Sequence, residues 1–111
     1  MGTFIYGVHG LEVQIDDRTL AHLRAVVCAK LRKREPFCFT APDQSQGQVS
    51  FWIDSSIPVA FRFEAEPESQ LNQAWLVRLT ASANCPTGLR VLSEPLRPLP
   101  RINAVAGLRR L

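Results

Sequence analysis

Cysteine is scarce in this chain, glycine is scattered, and no long apolar run occurs. The three cysteines, Cys28, Cys38 and Cys85, are an odd number separated by ten and forty-seven residues. No Cys-x-x-Cys, Cys-x-x-x-Cys or Cys/His cluster appears, which argues against a zinc site and against a disulfide-dense miniprotein. Free cysteines at apolar positions behave as small hydrophobes and suit a reducing cytoplasm. The glycines at 2, 7, 10, 47, 88 and 107 never gather into a Walker A or Gly-x-Gly-x-x-Gly loop. Ser55, Ser56 and Ser82 lack a nucleophile-elbow context. The longest apolar run, Ala25 to Ala29, is far too short to span a membrane. Met1 to Tyr6 lacks the cationic start of a secretory leader, and Tyr6 stands where myristoylation wants Ser or Thr. The sequence therefore predicts a soluble cytoplasmic protein with no cofactor, no metal, no membrane attachment and no recognisable catalytic motif.

What is present fits one domain. With 111 residues, 46% hydrophobic and 21% charged, the chain can bury a core without needing a second unit. Charge is unevenly placed along it. Residues 1–94 carry nine cations and ten anions, a net of −1, whereas residues 95–111 carry four arginines and no acid, a net of +4. The basic isoelectric point, about 9.1, thus comes from the C-terminal segment. We read residues 1–94 as a single α+β domain and residues 95–111 as a Pro/Arg-rich tail.

Phe4 to Val8 and Leu11 to Ile15 are apolar stretches separated by His9-Gly10, the pattern of a hairpin. Asp16-Asp17 offers an N-cap, after which Leu20, Leu23, Val27 and Leu31 follow at helical steps. Lys30, Arg32, Lys33 and Arg34 stand at the carbonyl end, and Pro36 stops the helix. Strands are predicted around Phe37–Phe39, Val49–Ile53 and Val59–Phe63, each alternating apolar with polar residues, with both connections short enough for hairpins. Ser69 or Asn72 is placed to cap a second helix carrying Trp75, Leu76, Leu79 and Ala83. Leu89 to Leu92 supplies a last strand. The predicted order is β-β-α-β-β-β-α-β, an antiparallel sheet with two helices on one face. In the tail, Pro95, Pro98 and Pro100 read as an extended linker, and Ile102, Val105 and Leu108 as a short amphipathic element.

Several blocks together resemble a group of small uncharacterised actinobacterial proteins of roughly this length, a family of unknown function. They are Asp16-Asp17-Arg18-Thr19-Leu20-Ala21-His22-Leu23, Lys30-Leu31-Arg32, Ser56-Ile57-Pro58, Ala74-Trp75, Thr80-Ala81-Ser82-Ala83-Asn84 and Gly88-Leu89-Arg90. The resemblance covers most of residues 3–94 and implies a class and a host rather than a mechanism. Members sometimes carry an ATP-dependent DNA ligase label. Such a ligase needs a nucleophilic lysine in Lys-x-Asp-Gly, and Lys30 and Lys33 sit in Lys-Leu-Arg-Lys-Arg. The chain is therefore not a self-sufficient ligase, and the label implies at most an association with DNA.

Three features could carry function. On a helical wheel Arg18, His22, Arg32 and Lys33 oppose the leucine stripe, and with Lys30 and Arg34 they form a cationic stripe suited to phosphates. The plainer reading of the same residues is a solvated helix face with cations that complement the dipole at its end. Trp52 and Arg62 project opposite Phe51 and Phe61, a pairing that fits base stacking or a protein interface, unless another element covers the ring. The arginines of the tail, Arg101, Arg109 and Arg110, lie beside apolar residues, as in a peptide that folds onto a partner or back onto its own sheet. His22 would act as a base only in a concave pocket with a carboxylate to orient it. The sequence is read as a non-enzymatic binding module for a protein or nucleic acid, monomeric or a two-fold dimer. A DNA-associated accessory protein is the narrower alternative, and a small enzyme centred on His22 the third.

Overall fold

The computed structural model describes residues 1–43, 45, 47–66 and 70–96. Its elements are β1 (Gly2–Tyr6), β2 (Leu11–Ile15), α1 (Asp17–Arg32), β3 (Phe37–Pro42), β4 (Gln48–Ile53), β5 (Val59–Arg62), α2 (Gln73–Ala83) and β6 (Leu89–Arg90). The α+β class and the element order are those read from the sequence. The strands, however, divide into two three-stranded sheets, ordered β2-β1-β5 and β4-β3-β6. All pairings are antiparallel except β3 with β6, where Phe39 faces Leu89 and Thr40 faces Arg90.

The division arises at Asp54–Pro58. This connection is not a hairpin: β5 leaves β4 and pairs with β1, setting Val59 against Tyr6. Pro58 has no N–H to donate to a ladder, and its carbonyl accepts from Gly7 N–H at 2.9 Å. The β1–β2 connection is also longer than expected, running from Gly7 to Gly10, with both glycines at positive φ.

The core lies between the inner faces of the sheets. Phe4 of the first sheet meets Phe39 edge-on at 5.2 Å and Phe51 at 5.6 Å, both from the second. Leu20, Leu23 and Val27 of α1 and Trp75 and Leu79 of α2 complete this buried cluster. Helix α1 packs on α2 and β1, while α2 packs on β3 and β6.

Both helices are capped by the residues the sequence offers. Asp16 accepts from Thr19 N–H at 3.3 Å, and Asn72 Oδ1 accepts from Ala74 and Trp75 N–H. At the far end of α1, Arg34 N–H bonds Leu31 C=O and Glu35 N–H bonds Lys30 C=O, at 3.0 Å each. This pair of bonds is a Schellman motif. The left-handed position that such a motif reserves for glycine is held here by Arg34, at φ +56°. Near α2, Gly88 has φ +84°, and a Cβ there would stand 2.4 Å from the Cys38 carbonyl oxygen. Only glycine lets the α2–β6 turn close onto β3.

Candidate binding groove

An open groove of ≈ 580 Å³ lies where the end of α1, the start of β3, the outer face of β4 and the α2–β6 turn converge. Lys30, Arg34, Glu35, Cys38, Trp52, Asn84 and Cys85 are among its lining residues. The alternation of β4 explains its most prominent side chain. Phe51 and Ile53 point into the core, so Trp52 between them points out and is 60% exposed. Across the ladder it faces Cys38, a small neighbour that leaves the ring uncovered. The Tyr6 hydroxyl donates to the Trp52 carbonyl, anchoring this strand to the other sheet. Burial pushes the Tyr6 hydroxyl above its ordinary pKa, because the phenolate would be poorly solvated there.

The cations of the α1 end divide into two kinds. Lys30 is a brace: its ammonium bonds Glu35 Oε1 at 3.1 Å and Asn84 Oδ1, joining α1 to the C-cap of α2. Arg32, Lys33 and Arg34 are exposed and make no ion pair among the described residues. Arg34 lines the Trp52 groove, whereas Lys33 lines a smaller hollow of ≈ 200 Å³ between α1 and α2. Sequence reading overlooked Arg90. The parallel register sets it beside Thr40, whose antiparallel partner is Ser50, so Arg90 shares the outer sheet face with Trp52. The alternation after Leu89 carried that signal, but nothing local named β3 as the neighbouring strand.

Arg18 and His22 belong elsewhere, and the helical wheel placed His22 wrongly. Its ring is 0% exposed, covered by the segment leading into α2 and lying 4.3 Å from the Trp75 ring. Nε2 accepts from the Asn72 N–H at 2.8 Å, so Nδ1 carries the proton shared with the Arg18 carbonyl at 2.8 Å. Among the described residues no carboxylate orients the imidazole, and both nitrogens are committed to backbone. A hollow of ≈ 150 Å³ borders it, lined also by Asp17, Arg18 and Glu66. Arg18 grips Glu94 through two bonds of 2.8 Å, and Asn72 Nδ2 donates to Glu94 at 3.0 Å and to the Pro95 carbonyl at 3.1 Å. With Trp75 Nε1 donating to Leu92 C=O at 3.0 Å, these contacts strap residues 92–95 to the helices. The His22 constellation is thus a fastening of the fold.

Of the remaining predicted residues, Arg62 is exposed on β5, in the other sheet, and does not line the groove. Arg101, Arg109 and Arg110 lie outside the described residues. Among the described residues, all three cysteines are free and no group of three or more His, Cys, Asp or Glu could hold a metal ion. No helix among them is long and apolar enough to cross a membrane.

No curated protein and no solved structure matches the chain. A family model does match, covering residues 1–94 and ending at the carboxylate that Arg18 holds. The chain belongs to the family described as Domain of unknown function (DUF7882).

Proposed function

We propose that this chain is a small non-enzymatic binding module that engages an anionic partner, nucleic acid or acidic protein, through the Trp52 groove. One observation carries the reading: the exposed Trp52 of β4 and the guanidinium of Arg34, from the end of α1 and unpaired among the described residues, meet at the same open groove. A single exposed aromatic needs no explanation, and cations at a helix C-terminus complement its dipole. Their convergence is what favours recognition. Among the lining residues the one carboxylate is Glu35, and Lys30 already engages it. The groove therefore presents Arg34 without a competing acid of its own.

The narrower reading, a DNA-associated accessory protein, rests on the same groove. The enzyme reading would need His22 free to exchange a proton with a substrate, and both its nitrogens are held by backbone groups. The test is retention on an immobilised polyanion such as heparin, at low and at raised salt. Wild type is compared with Arg32→Ala/Lys33→Ala/Arg34→Ala, whose changes fall on exposed positions. Binding that falls steeply with salt and is lost in the variant is expected, because released counterions drive such association. Passage of the wild type through the matrix at low salt would retire the reading.

A further inference from the structure

Resting on that reading of the groove, we infer that its partner is single-stranded nucleic acid. One base stacks on Trp52, and the flanking phosphates are taken by Arg34 on one side and Arg90 on the other. The argument begins with the ring. Trp52 makes no aromatic or cation–π contact among the described residues, although the inner faces of the same strands are crowded with aromatic rings in mutual contact, mostly edge-on. Its neighbours on the outer face are small: Cys38 opposite it, then Ser50 and Thr40, whose hydroxyls bond each other at 2.7 Å. The indole, 60% exposed beside these small side chains, offers ring surface to a ligand. A duplex keeps its base faces inside the stack, and an acidic peptide has carboxylates but no flat face. An unpaired base has one, and sheet-borne aromatics bind bases on that surface with little regard to sequence.

The cations fit the same ligand. Arg34 lines the groove from the α1 end, while Arg90 lies on the same sheet face as Trp52, two strands away and roughly 10 Å across the sheet. A strand laid across the sheet with a base on Trp52 would run its backbone between them. Arg90 is held for this: its N–H donates to Ser82 Oγ at 3.1 Å, fixing the backbone while the side chain stays exposed. Nearby acids are engaged, Glu35 by Lys30 and Asp54 by the N–H of Ser56. The platform is also stiff, since the Trp52 carbonyl is anchored by Tyr6 and little ordering is left for binding to impose.

Intrinsic fluorescence reports this contact selectively, because the other tryptophan, Trp75, is 2% exposed. At low salt the full chain is titrated with a short oligothymidine, a blunt DNA duplex, inorganic polyphosphate and polyglutamate, with affinities read by calorimetry for every protein and emission followed where Trp52 is present. Wild type is compared with Trp52→Ala and Arg90→Ala, both at exposed positions. We expect oligothymidine to quench the emission and to bind more tightly than the other three. Trp52→Ala should weaken oligothymidine about tenfold and leave polyphosphate unchanged, the mark of a lost stack rather than a lost charge. Arg90→Ala should weaken both. Equal binding of duplex or polyphosphate, or an equal loss for polyphosphate in Trp52→Ala, overturns the stacking inference and leaves the anion-binding groove standing. Trp52-dependent binding of polyglutamate alone assigns the groove to an acidic protein and likewise overturns it. Failure of all four probes removes both readings together.

Discussion

At the scale of single residues, Tyr6 shows how the core supports the outer face. Its ring stacks on Phe4 and meets Phe51 at 5.4 Å, while its hydroxyl reaches through to the Trp52 carbonyl. Tyr6→Phe keeps the ring and removes one hydrogen bond, so it should cost about 1 kcal/mol at neutral pH. Titration adds a second signature. The folded-state pKa is raised above the unfolded value, so the folded state holds its proton after the unfolded chain begins to release it. Stability linked to Tyr6 is therefore complete below about pH 10, the ordinary phenol value, and is lost as pH rises beyond it. Urea unfolding of wild type and Tyr6→Phe from neutral to about pH 11 should show the gap between them narrowing at the alkaline end. A gap that stays constant throughout would mean the hydroxyl is not buried against Trp52.

At the scale of elements, two N-caps of similar chemistry ought to differ in weight. Asp16 supplies one side-chain bond to α1 from an exposed position. Asn72 caps α2 twice, donates to Glu94 and Pro95, and gives its own N–H to His22, all while buried. Asp16→Ala should cost about 1 kcal/mol, an ordinary cap. Asn72→Ala should cost roughly twice that or more, since it also leaves the Glu94 strap short of a donor. Thermal or urea midpoints of the two variants decide it, and equal losses would reduce Asn72 to a cap alone. The same comparison shows what the sequence could and could not reveal. Caps and stripes are local, so α1 and α2 were legible from Asp16, the leucine spacing and Asn72. Alternation likewise told which face of each strand turns inward. It could not tell which strands pair, because β5 finds β1 some fifty residues back, and β6 finds β3 in parallel across a whole helix. His22 failed for a related reason. A wheel describes the faces of α1 alone, and the cover over His22 comes from Asn72 and Trp75, half the chain away.

At the scale of the molecule, residues 1–94 carry a net charge of −1, so attraction for an anion has to come from where the cations are placed. Arg34 is where placement and stability conflict. It fills the left-handed position of the α1 Schellman motif, which a non-glycine residue occupies at a cost of roughly 1 kcal/mol. Glycine would suit the backbone better, and no side-chain bond of Arg34 to the described residues offsets the strain. If the position served the fold alone, Arg34→Gly would be a plain improvement. If it serves the groove, the same change should act in opposite directions on the two properties. Urea unfolding should then show Arg34→Gly more stable than wild type by about 0.5–1 kcal/mol. Titration with an oligonucleotide across a range of salt should show weaker binding, with the slope of log K against log salt shallower by about 0.7, one phosphate contact on a single strand. A variant that gains stability and binds as before, with an unchanged slope, would take Arg34 out of the binding surface. Strain at this residue would then answer only to the helix end.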